Sequence, residues 1–275
     1  MTILSPVLPL RSGALIPQIG LGTWPMDDDE AARAVDAAVS LGYRHFDTAE
    51  NYRNEKGVGE GLRRSGLDRE QAFITTKFNK EWHSFDGVRR AADAALQRLG
   101  TDYIDLLLIH WPNPGLNRYV DAFRGMRVLQ DEGLVRAVGV SNFKPAHLQQ
   151  LADAGLVPEV NQVQLDPYRP RLGVRETHSR LGIVTEAWSP LGPGSGLLTD
   201  PRITALAEKY GKTPAQIVLR WDVQSGLVAI PKSVHPQRLA ENLDVVDFVL
   251  DASDLQTLDG METDAPVSDS DVFGH

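Results

Sequence analysis

Residues 73–110 read FITTKFNKEWHSFDGVRRAADAALQRLGTDYIDLLLIH, in which a strand, a helix and a second strand follow one another. The runs Phe73–Phe78 and Asp105–His110 are short and largely apolar, as buried parallel strands are. Between them, apolar residues recur at helical spacing after Ser84, a good N-cap residue, and stop at Gly100. The stretch therefore predicts two parallel strands joined by a crossover helix.

The same alternation continues along the rest of the chain. Six further apolar runs, separated by helical patterns, are Ile19–Thr23, His45–Ala49, Val135–Ser141, Val160–Leu165, Val184–Ser189 and Val228–Pro231. Eight strand–helix units predict an α/β fold of the (β/α)8 TIM-barrel type. Residues 6–17 predict an N-terminal β-hairpin that closes the bottom of the barrel. We expect residues 1–275 to form a single domain in which residues 263–275 are a polar tail.

A doubly wound open sheet is the alternative fold. That fold would normally carry a glycine fingerprint at its first strand–helix turn. Here Gly20-Leu21-Gly22 is not followed by a third glycine, and the glycines of residues 57–61 lie inside a helical stretch with no strand before them. Both sets are interpreted as packing or turn glycines, which favours the barrel.

Composition and charge limit the classes of function. The chain has 275 residues, a formal net charge of −9 and no cysteine. Nucleic-acid backbones need basic surface, so no such partner is expected, and disulfides and cysteine nucleophiles are excluded. The longest apolar run, Leu106–Ile109, is too short to span a membrane, and residues 1–13 lack the apolar segment of a signal peptide. We therefore expect a cytoplasmic protein.

Four residues of complementary chemistry stand at or just after strand ends: Asp47, Tyr52, Lys77 and His110. In a parallel barrel these ends share one rim. A free tyrosine has a pKa of about 10, and an ammonium held nearby by a carboxylate lowers that pKa. Taken singly, Asp47 and Lys77 fit a structural ion pair and His110 a core histidine. Together the four predict a site in which Tyr52 protonates an oxygen as negative charge develops on it.

Three stretches resemble the signatures of the aldo-keto reductase family. Residues 42–59, beginning GYRHFDTA, resemble the first signature, and residues 136–143, RAVGVSNF, resemble the second. Residues 230–242, beginning IPKS, resemble the third. The resemblance runs through the whole barrel in the family's order. It is nearest to the bacterial branch of 2,5-diketo-D-gluconate reductases and small aldehyde reductases.

This resemblance implies an NADP(H)-dependent oxidoreductase that reduces aldehydes and ketones, including dicarbonyls, to alcohols. It makes Asp47, Tyr52, Lys77 and His110 the catalytic tetrad and NADPH (NADP+) the cofactor. It implies no resident metal, a small-molecule carbonyl substrate and a monomer.

The resemblance also assigns the walls of the site. In it, the carboxamide binds Ser141, Asn142 and Gln162, the nicotinamide stacks on Trp188, and the 2′-phosphate of NADPH meets Lys232 and Arg238. The full set of expected cofactor contacts is Gly22, Thr23, Ser141, Asn142, Gln162, Trp188, Ser189, Leu191, Gly192, Lys232, Ser233, Val234, Arg238, Glu241 and Asn242. The expected substrate contacts are Trp24, Trp82 and Trp111.

Two other functions are open. One is a non-catalytic, NADP(H)-binding regulatory protein on the same scaffold. The other is a metal-dependent barrel hydrolase, for which His45 and Asp47 are candidate ligands, although we expect His45 to point outward. The segment between Trp111 and Tyr119 is short and the tail is modest, which predicts an open, permissive site. Phe273 either folds over this site or belongs to a disordered tail.

Overall fold

The structure, a computed structural model, describes residues 5–274. Residues 1–4 and His275 lie outside that range. The first four begin the segment in which we predict no signal peptide, and His275 ends the predicted tail. The strands, in chain order, are β1 (Val7–Pro9), β2 (Leu15–Pro17), β3 (Leu21–Gly22), β4 (His45–Asp47), β5 (Phe73–Phe78), β6 (Ile104–Ile109), β7 (Val135–Ser141), β8 (Val160–Gln164), β9 (Val184–Trp188) and β10 (Val228–Ile230).

The helices alternate with the barrel strands, as the sequence predicts. They are α1 (Asp28–Leu41), α2 (Glu55–Ser65), α3 (Phe85–Leu99), α4 (Tyr119–Asp131), α5 (Pro145–Asp153), α6 (Leu172–Leu181), α7 (Pro201–Tyr210), α8 (Pro214–Gln224), α9 (Pro236–Leu243) and α10 (Ala252–Asp259). Among the described residues, no helix is long and apolar enough to cross a membrane.

Strands β3 to β10 pair in parallel with their neighbours in sequence, and the first and last then meet. Ile19 bridges Ala229, the amide of Gly20 donates to the carbonyl of Ala229 at 2.9 Å, and the amide of Gly22 donates to Pro231 at 3.2 Å. This seam joins the two edges of the sheet. The predicted (β/α)8 barrel is confirmed.

The helix ends follow the local sequence. The side chain of Asp27 accepts from the amide of Glu30 while Glu30 reaches back to the amide of Asp27, a capping box at the start of α1. Ser84 caps α3, which ends at Gly100 in the left-handed conformation. Each cap satisfies backbone groups that a helix end leaves without partners. The N-caps Asp27 and Ser84 therefore fix where two loops at the rim end.

Glycines in α2 serve close packing rather than phosphate binding. A Cβ added to Gly59 would lie 2.0 Å from the carbonyl oxygen of Leu99, and one on Gly57 would lie 2.2 Å from that of Asp28. The neighbouring helices therefore approach α2 to a distance that only glycine allows. This agrees with the interpretation of these residues as packing glycines.

The β1–β2 hairpin covers the end of the barrel where the strands begin. The guanidinium of Arg11 donates to the carbonyls of Val157 and Gly182 at 3.0 and 3.2 Å, both just before barrel strands. Leu10 and Ile16 are buried in a cluster with strand residues inside the barrel. The prediction that this hairpin closes the bottom is confirmed, and the opposite rim is left for chemistry.

Candidate active site

The rim brings together the four residues that the sequence singles out. Lys77, at the end of β5, lies inside the barrel and donates from Nζ to both carboxylate oxygens of Asp47 at 2.7 and 2.8 Å. The same ammonium donates to the carbonyl of Thr48 at 2.9 Å and to the hydroxyl of Tyr52 at 3.3 Å. The phenol is therefore one hydrogen bond from a buried ion pair.

Tyr52 reaches this position from a single 3₁₀ turn, Glu50–Tyr52, that precedes α2. His110 follows β6 directly, and its ring stands edge-on to that of Tyr52 with a centroid distance of 5.8 Å. The carbonyl of His110 accepts from Nδ2 of Asn142 at 3.1 Å. The imidazole and the phenol thus flank the same space above the ion pair.

Burial controls the proton affinities in this cluster. Burial disfavours the charge on Lys77, but Asp47 and Tyr52 outweigh it and raise the pKa of Lys77. Burial likewise raises the pKa of Asp47, against the opposing effects of Lys77 and Gln162. The contact between the two groups keeps the ammonium charged.

The expected lowering of the pKa of Tyr52 is wrong as a net effect. Burial raises the pKa of Tyr52, and the lowering by Lys77 offsets only part of that rise. The reason is that Asp47 neutralises much of the field of the ammonium, and Asp47 itself also raises the pKa of the phenol. Tyr52 therefore holds its proton firmly, in the form that a proton donor needs.

A cavity of about 740 Å³ opens above the four residues. Asp47, Tyr52 and His110 line it, together with nine of the expected cofactor contacts. Those nine are Gly22, Thr23, Ser141, Asn142, Gln162, Trp188, Ser189, Leu191 and Lys232.

Three amide and indole groups on one side of the cavity are fixed by hydrogen bonds. Trp188, the last residue of β9, donates from Nε1 to Oδ1 of Asn142 at 2.9 Å, so its ring plane is held. Asn142 has a left-handed backbone with φ 64, and its Nδ2 donates to Oγ of Ser141 at 3.0 Å. Nε2 of Gln162 donates to Asp47 at 2.8 Å. A flat ring and an oriented amide thus face the same space.

The remaining expected cofactor contacts lie outside the cavity lining. They are Gly192, in the loop after β9, and Ser233, Val234, Arg238, Glu241 and Asn242, in the loop after β10 and in α9. Oγ of Ser233 accepts from the amide of His235 at 3.1 Å, which shapes that loop. Lys232 and Arg238 are exposed. Their binding of a 2′-phosphate stays a prediction.

The three expected substrate tryptophans do not share one position. Trp24 and Trp111 line the cavity, with Trp24 58 % exposed at its edge. Trp82 does not line it and instead donates from Nε1 to both carboxylate oxygens of Glu50 at 3.0 and 3.1 Å. Because Glu50 begins the turn that carries Tyr52, Trp82 supports the position of Tyr52.

The tail lies over the site rather than away from it. Phe273 packs edge-on against Trp111 with a centroid distance of 4.7 Å, and both line the cavity. Lys144, before α5, holds the tail through Asp269 and Asp271 at 2.5 and 2.6 Å. Of the two expectations for Phe273, the one in which it folds over the pocket is the one observed.

Sequence reasoning assigned the wrong orientation to His45 and missed Glu186. His45 is buried inside the barrel, with Nδ1 3.2 Å from the carbonyl of Pro17 and Nε2 3.0 Å from Oγ1 of Thr75. Residues two apart on a strand face the same side, so His45 follows Asp47 inward.

Glu186 is fully buried on β9. A charged residue in the middle of an apolar run, VTEAW, was the signal that could have revealed it.

These acidic and imidazole groups do not form a metal site. Across residues 5–274, no group of three or more histidine, aspartate or glutamate residues could hold a metal ion. Burial lowers the pKa of His45 to about 4, so its ring is neutral at neutral pH.

Comparisons with known proteins give one family and the same barrel. A family model described as "Aldo/keto reductase family" matches residues 18–263. An aldo-keto reductase of Mycolicibacterium smegmatis is 49% identical over 261 residues, which cover 94% of each chain. The methylglyoxal reductase DkgA of Escherichia coli (strain K12) is 45% identical over 271 residues, 98% of each chain. The crystal structure of a Gox0644 mutant in complex with NADPH has a TM-score of 0.93 and 44% identity over 98% of each chain.

Proposed function

The chain belongs to the aldo/keto reductase family, and from this premise we propose that it reduces small carbonyl compounds with Tyr52 as the proton donor. It is an NADP(H)-dependent oxidoreductase, as its relatives and NADPH-bound structural neighbours are. The substrates are aldehydes and ketones, including dicarbonyls of the kind that the name of a methylglyoxal reductase denotes.

The observation that carries the proposal is the contact of 3.3 Å between Nζ of Lys77 and the hydroxyl of Tyr52 at the floor of the cavity. As Tyr52 gives its proton to the substrate oxygen, negative charge grows on the phenol, and the ammonium at that distance stabilises it. His110, on the other side of the phenol, orients the same oxygen. General acid catalysis of this kind contributes about 10²–10⁴-fold to a rate.

The residues of the cavity fit a nicotinamide cofactor. When bound, NADPH supplies the hydride. Trp188 offers a ring that its bond to Asn142 keeps flat against the cavity, and Gln162 offers an amide oxygen. Lys232 contributes a cation at the cavity edge, which suits the extra phosphate of NADPH over NADH. Ser189 and Leu191 lie beside Trp188, where they shape the path of the cofactor.

The alternative, a non-catalytic NADP(H)-binding protein on the same scaffold, predicts binding without turnover. The test is NADPH oxidation with a panel of small aldehydes, ketones and diketones, alongside NADPH binding followed by tryptophan fluorescence. We expect turnover in the wild type, and in Tyr52→Phe we expect its loss with NADPH affinity within about twofold. An active Tyr52→Phe protein would refute the role of Tyr52, and a wild type that binds NADPH but turns over no carbonyl would favour the alternative.

We also propose that residues 1–275 act as one reductase domain and as a monomer. The barrel seam between β3 and β10 supports the single domain, because it ties the two ends of the sheet together. Light scattering during gel filtration should give the mass of one chain, 30.2 kDa. A mass of two chains, unchanged on dilution, would contradict it.

A further inference from the structure

A third carboxyl group lies inside the barrel beneath the rim. Glu186, on β9, is fully buried, and its Oε2 accepts a hydrogen bond of 3.0 Å from Nε2 of Gln162. The same nitrogen donates to Oδ2 of Asp47 at 2.8 Å. One amide therefore joins Glu186 to the ion pair of Asp47 and Lys77.

These two bonds fix the orientation of the Gln162 side chain. A side-chain amide has two N–H donors and one acceptor oxygen, and here both donors point inward at carboxyl oxygens. A single bond would leave the amide free to turn about that bond, whereas two set its plane. None of residues 5–274 donates to Oε1 of Gln162, and Gln162 lines the cavity. Its carbonyl oxygen is thus presented to a ligand.

We propose that Glu186 is a positioning residue: by accepting the second N–H of Gln162, it presents the Gln162 carbonyl oxygen to the amide N–H group of the nicotinamide carboxamide. The inference rests on the proposed function, since it concerns the cofactor of that reaction. It also explains why a carboxyl group stands in the middle of an apolar strand, where burial would otherwise exclude it.

The charges around Glu186 make it a hydrogen-bond partner rather than a counter-ion. Asp47, Lys77 and Tyr52 face it from the rim, and Nε2 of His45 lies 3.5 Å from its Oε1. Burial, and then the charge of Asp47, raise the pKa of Glu186 to about 8. At neutral pH the group therefore keeps its proton, and Lys77 has to balance only Asp47. A glutamine at this position can make the same bond to Gln162.

Ligand binding without turnover tests the inference. Affinities of wild type, Glu186→Met and Glu186→Gln are measured for NADPH and for 2′-phospho-ADP-ribose, which lacks the nicotinamide. We expect Glu186→Met to bind NADPH about threefold to tenfold more weakly, the range for one lost hydrogen bond. Binding of 2′-phospho-ADP-ribose should stay within about twofold, and Glu186→Gln should restore NADPH binding. Equal weakening for both ligands would overturn the inference, because it would indicate a general packing defect.

A second cofactor analogue tests the orientation of the Gln162 amide already in the wild type. In the 3-acetylpyridine analogue of NADPH a methyl group replaces the amide nitrogen, so it has no N–H to offer Oε1 of Gln162. Wild type should prefer NADPH to this analogue by about threefold or more, and Glu186→Met should lose that preference. A wild type without the preference refutes the inference even if Glu186→Met does not fold.

Glu159→Gln is the matched control. Glu159 is another buried carboxylate that accepts from a glutamine amide, Nε2 of Gln130 at 2.8 Å, but it lies at the bottom of the barrel. Its substitution should leave both ligands and the preference unchanged. Turnover of aldehydes by the wild type separates the outcomes: if the wild type is an active reductase and Glu186→Met keeps the preference, the inference alone fails.

Discussion

The two ends of this barrel use buried carboxylates in opposite ways. At the bottom, Glu159 accepts from the amide of Ser12 at 2.7 Å and from Gln130 at 2.8 Å, so it fastens the hairpin to the strands. At the rim, Asp47 is bound to Lys77, which itself touches the hydroxyl of Tyr52. The bottom carboxylate is held by donors of the surrounding framework, whereas the rim carboxylate belongs to a chain of groups that ends at a cavity. Both carboxylates contribute stability, and we propose that the one at the rim also supports proton transfer by Tyr52.

Breaking the rim pair should have the largest effect. In Lys77→Met, turnover should fall by about 10²–10⁴-fold, because Tyr52 loses the ammonium that stabilises its phenolate. Stability should also fall by about 3–5 kcal/mol, since Asp47 is left buried without its cation. Steady-state kinetics and chemical denaturation measure the two effects.

The double variant Asp47→Asn, Lys77→Met separates those two effects. Removing both charges should recover most of the stability while leaving turnover as low as in Lys77→Met. Recovery of turnover in the double variant would mean that the pair is structural only, the interpretation that each residue supports when taken singly.

The pH dependence of stability is the next largest effect. Because burial raises the pKa of Glu186 from 4.5 to about 8, the folded state holds a proton that the unfolded chain releases. Its contribution to the free energy of unfolding should therefore fall as pH rises from 4.5 to about 8, and stay level outside that window. Glu186→Gln should remove this decline and gain on the order of 5 kcal/mol over wild type at the alkaline end.

Urea denaturation of both proteins across that window measures this difference. If the free energies of unfolding of wild type and Glu186→Gln change in parallel with pH, Glu186 is ionised in the folded state across the whole window. In that case Glu186 would be a second counter-ion of Lys77.

Breaking the bottom should cost stability alone. Glu159→Leu leaves the Ser12 amide and the Gln130 amide without their acceptor, which should lower the free energy of unfolding by about 1–3 kcal/mol. Turnover per folded molecule should stay within about twofold, as the rim is untouched. A loss of turnover comparable to that of Lys77→Met would remove the contrast between the two ends.

The smallest effect should come from loosening the tail. Exposed ion pairs contribute about 0.2–1 kcal/mol each, so Lys144→Ala should change KM for a bulky aromatic aldehyde by about twofold to fivefold and leave stability nearly unchanged. Lys209→Ala is the control, since Lys209 pairs with Asp251 and Asp254 in the same manner, away from the cavity. Equal KM values in wild type and Lys144→Ala would show that the tail does not limit the pocket.

Periodicity was enough to predict the barrel, and strand ends were enough to place the rim. The bounds Phe73–Phe78 and Val135–Ser141 match the strands observed, because nearly every residue of both strands is buried, as in strands covered on both faces. The alternation of side chains along a strand also predicts that His45, two residues before Asp47, points inward. The outward orientation expected for His45 overlooked this alternation. The convergence of Asp47, Tyr52, Lys77 and His110 could be predicted for the same reason, because each stands at or shortly after a strand end.

Features that depend on the course of a loop or on the burial of a side chain could not be predicted from periodicity and strand ends. Trp82 lies on a 3₁₀ turn whose course is set by its bond to Glu50, and no local pattern fixes that course. The pKa of Tyr52 depends on how much protein surrounds the phenol and on how far Asp47 neutralises Lys77. Both depend on the packed barrel and not on spacing along the chain.

The seam between β3 and β10 bears on how the molecule is made. The side chain of Gln18 donates to the carbonyls of Val223 and Leu227 at 3.0 and 2.9 Å, next to the Ile19–Ala229 bridge. A growing chain that has reached β9 therefore still lacks the strand that shuts the cylinder. Contacts between residues so far apart in sequence form slowly, so we expect the side of the rim formed by β3 and β10 to be completed late in folding.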